Sequence, residues 1–112
     1  TTLFRSDTST TPVLDNDGYL VNLADWNQTI AEYLSNDEGI TLTPAHWELI
    51  WLIRQFYDSY QLSPSQRPLV KFVKEQLGDE KGSSLYLLKL FPGSPAKLLA
   101  RIAGLPRPTN CF

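Results

Sequence analysis

Residues 43–60 read TPAHWELIWLIRQFYDSY. Thr43 carries a side-chain oxygen suited to an N-cap. Pro44 follows at the first helical position, where a missing N–H costs no intrahelical bond. Trp47, Ile50, Trp51, Ile53, Phe56, Tyr57 and Tyr60 then recur over more than one helical stripe. A helix apolar over that much of its circumference belongs at the centre of a helical domain. The stretch therefore predicts a mainly α fold with this helix as its central element. Trp26, Trp47 and Trp51 are read as core, the commoner fate of tryptophans at helical spacing.

Downstream, Ser63 and Gln66 stand at capping-box spacing and open a helix that runs to Leu77, with Pro68 interrupting its start. Leu69, Phe72, Val73 and Leu77 give it an inner face, and Gly78 stops it. Ser83 or Ser84 begins a short helix through Leu90. Ser94-Pro95 begins the last, with Leu98, Leu99 and Ile102 facing inward and Gly104 as its stop. Upstream, Asn22 caps a helix starting at Leu23, in which Trp26, Ile30, Tyr33 and Leu34 recur before Gly39 ends it. Before that, Asn16-Asp17-Gly18 lies between two short apolar pieces and predicts a small β-hairpin. The expected architecture is about five helices, a small N-terminal β-hairpin and an extended C-terminal arm. Residues 1–12 form a flexible segment, 13–104 a single helical domain, and 105–112 a mobile arm.

The chain has 112 residues and one cysteine, with 42% hydrophobic and 20% charged residues. That is ordinary for one globular domain. No apolar run reaches the ~18 residues of a membrane span. The first 18 residues lack the apolar centre of a signal peptide. With a lone cysteine, this leads to the expectation of a reducing, cytoplasmic setting. Intermolecular pairing stays open for an unpaired thiol. The net charge of −2 conceals a split. Residues 1–62 carry two basic and nine acidic side chains; residues 63–112 carry eight basic and three acidic. Either the halves pair within one domain, or the basic half meets an anionic partner.

Few residues are candidates for chemistry. His46 is the only histidine, so the chain alone offers no two-histidine metal site, and no cofactor is expected. It is read as a surface or capping residue. No phosphate-cradling glycine loop is present. Asp15, Asp17 and Asp25 stand at turns or a helix start, where carboxylates serve structure. Cys111, one residue from the C-terminus, is the exception. A thiolate is a nucleophile and can hold a second sulfur as a persulfide. Its ordinary pKa of ~8.5 leaves little thiolate at neutral pH. The C-terminal carboxylate of Phe112 opposes ionisation, and Arg107 offsets it only partly. Such a thiol needs a docking surface or partner pocket to complete its chemistry, which suits a carrier. Pro106 and Pro108 favour an extended path. Seven steps of roughly 3.1 Å place Cys111 up to ~20 Å beyond Gly104. Gly104, Pro106, Arg107 and Pro108 either shape this arm for docking or simply end a helix in a solvated tail.

The helix from Thr43 and the one bearing Arg67, Lys71 and Lys74 also make a helix–turn–helix-like pair. Such a pair would suit a DNA-binding regulator with Cys111 as a redox sensor. A pI near 5.2 argues against a dedicated DNA binder.

In order along the chain, GYLVNLADWN, HWELIWLIRQFY, RPLVKFVK, KGSSLYLLKLFPGSPAK and IAGLPRPTNCF resemble the TusE/DsrC family of small cytoplasmic sulfur carriers, which includes the gamma subunit of dissimilatory sulfite reductase. The likeness covers nearly everything after residue 12. The ending, glycine-leucine-proline-basic-proline with a penultimate cysteine, is its most specific part. It implies a helical domain with a small hairpin and a mobile arm whose cysteine, here Cys111, carries persulfide sulfur. The DsrC branch has a second cysteine eleven positions upstream, where this chain has Ala100. That departure favours the TusE-like branch, whose members relay sulfur for 2-thiouridine in tRNA. The implied partners are a TusBCD-type donor complex and an MnmA-type thiouridylase bound to tRNA. The alternative is a DsrC-related carrier or regulator in sulfur oxidation or sulfite reduction, with a sulfite reductase-type partner.

Overall fold

A computed structural model describes residues 12–108; residues 1–11 and 109–112, with most of the expected N-terminal segment and Cys111, lie outside the described residues. Five helices follow one another: α1 (Gln28–Asp37), α2 (Pro44–Tyr60), α3 (Gln66–Leu77), α4 (Ser84–Leu90) and α5 (Pro95–Ile102). The mainly α reading holds. Where a hairpin was expected, Leu14 and Leu20 form an isolated antiparallel bridge, and no strand occurs among the described residues. The Asp15 carboxylate tightens the turn by accepting the N–H groups of Asp17 (2.9 Å) and Tyr19 (3.0 Å).

The hub of the core is α5 rather than α2. The last helix packs against α1, α2, α3 and α4. Its sequence explains this. Ala96 and Ala100 let neighbours approach closely, while Leu99 and Ile102 fill the spaces between them; all four are buried. In α2, by contrast, Leu49, Ile50, Leu52, Ile53 and Phe56 face inward, while Trp51 and Tyr60 are exposed. Trp51 is 46% exposed and is therefore not core. It stacks on Trp47 and meets Trp26 edge-on, so the three tryptophans form a half-buried cluster at the surface.

Three further expectations need correction. The helix expected from Leu23 is two elements. Asn22 caps a 3-10 turn over Leu23–Asp25, and Asn27 then caps α1 by accepting the Ile30 N–H at 2.9 Å. Two successive asparagines each capture a nearby N–H, which breaks the helix between them and leaves Trp26 in an extended link. Likewise α3 is preceded by Ser65, not Ser63, and Pro68 sits in its first turn, where a proline leaves no bond unmade. Finally, His46 caps but is not at the surface. The ring is 6% exposed and packs edge-on against Phe91. The Thr43 N–H donates to Nδ1 at 3.1 Å, and Nε2 lies 2.8 Å from the Leu90 carbonyl. Since Nδ1 accepts, Nε2 must carry the proton that reaches Leu90. One imidazole thus caps α2 and ties it to the end of α4.

Among the described residues no helix is long and apolar enough to cross a membrane. Between α3 and α4 the chain passes so close to Lys74 that a β-carbon on Gly82 would lie 2.2 Å from the Lys74 Cα.

Candidate functional site

The thiol-bearing tail leaves the body at the C-terminus of α5, and the local sequence dictates how. Gly104 has φ +75°, a left-handed conformation that glycine adopts without strain. This lets the Leu105 N–H reach back to the Ala100 carbonyl (2.9 Å) and the Gly104 N–H to the Arg101 carbonyl (3.1 Å). Together these form the paired closing bonds of a Schellman ending. The chain then turns across the body rather than away from it, and Leu105 is buried.

Two further carbonyls at this ending are satisfied by side chains from elsewhere. The Trp26 Nε1–H donates to the Ile102 carbonyl at 2.8 Å, and Arg54 Nη1 donates to the Ala103 carbonyl at 2.5 Å. The Arg54 guanidinium lies 4.0 Å from the centre of the Trp26 ring, a cation–π contact that fixes both. Burial lowers the Arg54 pKa from its ordinary value, and Asp58 opposes that shift. Gly104 is packed tightly beneath this pair. A β-carbon there would fall 2.3 Å from Trp26 Cδ1.

The next residues are held as well. Buried Ser63 donates its hydroxyl to the Pro106 carbonyl at 2.5 Å. Arg107 reaches Asp17 in the N-terminal turn at 3.3 Å, an exposed pair of little energetic weight. Pro108 is buried. Behind them, Arg101 joins three parts of the chain. Its Nε donates to the Gly18 carbonyl at 2.7 Å, and the guanidinium pairs with Asp37 at 2.9 Å and with Glu38. Burial would lower its pKa, but the bonds to Asp37 and Glu38 win and raise it.

The structure thus brings Gly104, Pro106, Arg107 and Pro108 together on one side of the body, with Leu105 as the buried anchor between them. Cys111 lies outside the described residues. His46 and Asp25 belong to other parts of the fold: His46 links α2 to α4, and Asp25 ends the 3-10 turn. Sequence reading missed Trp26, Arg54 and Ser63 as supports of the arm's root. Nothing local marks them, because each acts on a carbonyl more than 40 positions away. Chemically, this is a support: it contributes no acid or base of its own, and it sets where the chain beyond Pro108 begins.

The comparisons with known proteins agree with one another. The model of the family described as DsrC-like protein matches residues 8–112. A protein named sulfurtransferase TusE from Yersinia pseudotuberculosis is 48% identical over 102 residues, covering 89% of this chain and 94% of that one. The protein of that name from Escherichia coli K12 is 44% identical over 98 residues, covering 88% and 90%. Among solved structures, Allochromatium vinosum DsrC has a TM-score of 0.80 at 45% identity, with 88% of each chain covered. The oxidized gamma-subunit of the dissimilatory sulfite reductase (DsrC) from Archaeoglobus fulgidus has a TM-score of 0.76 at 39% identity, with 90% of this chain and 92% of that one covered.

Proposed function

The chain belongs to the DsrC-like protein family, and from that premise we propose that it is a sulfur-relay protein whose penultimate residue, Cys111, carries the sulfur. The Cys111 thiolate attacks the terminal sulfur of a donor persulfide. The donor leaves as a thiolate, and Cys111 is left as a persulfide. An acceptor thiolate then takes that outer sulfur in the same way, and Cys111 returns to its starting state. Each step exchanges one S–S bond for another, so no net oxidant or reductant is needed. The destination that best fits the TusE relatives is 2-thiouridine in tRNA, with a TusBCD-type complex as donor and an MnmA-type thiouridylase as acceptor. The setting is cytoplasmic.

The observation that carries this reading is the single thiol. Position 100, where the DsrC branch has its second cysteine, holds an alanine that is 0% exposed beneath the core. A sulfur loaded on Cys111 therefore has no thiol in its own chain to meet and must leave to another molecule. Leu105 to Pro108 form the seated base of the arm, and the segment beyond them carries the cargo. Incubation with a small-molecule persulfide donor followed by intact mass spectrometry tests this. The protein should gain the mass of one sulfur, and Cys111→Ser should gain none. No gain on the native chain, or equal gain on the variant, overturns the proposal.

Likeness to the DsrC structures supports a second reading, a carrier serving a sulfite reductase-type partner. Loading by a persulfide donor is common to both; the protein that unloads Cys111 separates them. A mixed-disulfide trap through Cys111 should capture a thiouridylase on the first reading and a sulfite reductase on the second. The helix–turn–helix reading requires salt-sensitive retention on DNA that is lost when Arg67, Lys71 and Lys74 are neutralised.

A further inference from the structure

The bonds that hold Leu105, Pro106 and Arg107 come from Ala100, Ser63 and Asp17, away from the face formed by α3, α4 and the start of α5. Arg67, Lys71 and Lys74 are spaced i, i+4, i+7 on α3 and so project from one side of that helix. With Val70 they line a cleft of about 330 Å³. A second cleft, of about 350 Å³, shares Gln66 and Ser84 with the first and continues it to Leu88, Pro95, Ala96 and Lys97. The two make one groove with an aliphatic floor and a basic rim. Leu85 is 67% exposed and Leu88 40% exposed on this same helix α4.

The rim charges are unspent. Elsewhere, Lys81 pairs with Glu48, Arg101 with Asp37 and Glu38, and Arg107 with Asp17. Among the described residues, five basic side chains make no hydrogen bond or ion pair. They are Arg67, Lys71, Lys74, Lys89 and Lys97, and four of the five line this groove. No acidic residue lines either cleft. Nor does any aromatic ring, so there is no platform on which a nucleic-acid base could stack. The floor of Val70, Leu88, Pro95 and Ala96 instead suits aliphatic side chains. The twelve residues of α3 extend ~18 Å, the length of a three-turn helix laid alongside it.

We propose that this groove docks an acidic amphipathic helix of a partner protein, with leucine-type residues on the floor and aspartate or glutamate against Arg67, Lys71, Lys74 and Lys97. The groove meets α5 at its start and the arm leaves α5 at its end, ~12 Å apart along eight residues. A partner held in the groove would be tethered near the arm without occupying it, which raises the local concentration of its thiol.

The test uses the full chain, isotope-labelled, and a fluorescent 16-residue synthetic peptide of leucine and glutamate with helical amphipathic spacing. Its controls are a scrambled peptide of the same composition, bulk tRNA, and the protein alone in sedimentation equilibrium. The amphipathic peptide should bind and shift the amide resonances of Val70, Leu88 and Ala96. Binding should weaken as salt rises and fall ~10-fold or more in the doubly charge-reversed K71E/K74E. Leu88→Ser should weaken it too, and both variants should keep the native circular dichroism spectrum. Any of four results overturns the proposal: no peptide binding, equal binding of the scrambled peptide, tighter binding of tRNA through the same lysines, or a dimer whose contacts fill the groove. Persulfide loading of Cys111 is measured separately, so failure here is distinct from failure of the relay function.

Discussion

Gly104→Ala perturbs the root of the arm at a single atom. At φ +75° an alanine is held in a conformation that costs about 1–3 kcal/mol. Its β-carbon would also lie 2.3, 2.7 and 2.8 Å from Trp26 Cδ1, Cγ and Cβ, well inside contact distance. Trp26 must shift, at about 1–3 kcal/mol for overpacking, and its bond to the Ile102 carbonyl is lost or stretched, at about 1 kcal/mol. The sum is about 3–7 kcal/mol, a large fraction of the 5–15 kcal/mol typical of a domain. Urea unfolding measures it directly, and at an m-value of about 1–3 kcal/mol per molar the midpoint should fall by about 1 M or more. A double-mutant cycle with Trp26→Ala separates the two causes. Removing the indole clears the two nearest contacts and leaves the one to Cβ at 2.8 Å, so the cost of Gly104→Ala should fall toward the backbone strain of about 1–3 kcal/mol. A loss below about 1 kcal/mol in the native background, or an undiminished loss without the indole, would refute the packing account.

Ser63→Ala should cost about 0.5–1.5 kcal/mol and lower the NMR order parameter of the Arg107 amide, because the Ser63 hydroxyl holds the Pro106 carbonyl just before it. An unchanged amide would mean that the burial of Leu105 and Pro108 seats the arm without this bond. Arg101→Lys retains the charge but not the fork that reaches Gly18, Asp37 and Glu38 together; thermal or urea unfolding should register a loss of about 1–3 kcal/mol. His46→Ala removes a buried cap and the link to Leu90, and should lose about 2–4 kcal/mol in the same assay. Lys81→Ala, whose pair with Glu48 is on the surface, should leave the unfolding midpoint where it was.

Local signals were read well where the physics is local. The Thr43-Pro44 start of α2, the Ser94-Pro95 start of α5 and the glycine after it are all rules about a few neighbouring backbone groups, and the chain obeys them. What failed depended on competition or on distance. Asn22 and Asn27 can both cap, and spacing alone does not say that the chain uses each in turn. Ser63 and Ser65 look alike as caps until the fold puts one against the Pro106 carbonyl. The apolar breadth of α2 suggested the centre of the molecule, yet part of it is a tryptophan cluster facing outward. The hub is the short helix α5, whose inward face was legible but whose eight residues gave no sign that four other helices would pack on it. At the candidate site, Gly104 was legible as the stop of α5 because its role is local, while Cys111 lies outside the described residues. Trp26 and Arg54 were not, because they act on carbonyls 76 and 49 positions away.

The position of α5 has a consequence for biosynthesis. Chains emerge N-terminus first, at about 5–20 residues per second, and helices can form as they appear. Here α1 through α4 are complete by residue 90, but the helix they all pack against begins only at Pro95. A nascent chain that has not yet released that last helix has four amphipathic pieces and no common surface to bury them on. Consolidation of the body should therefore wait for α5, which follows the four helices that pack on it. A chain that stops short of Pro95 is therefore expected to stay unfolded, because its first four helices lack the surface that they share.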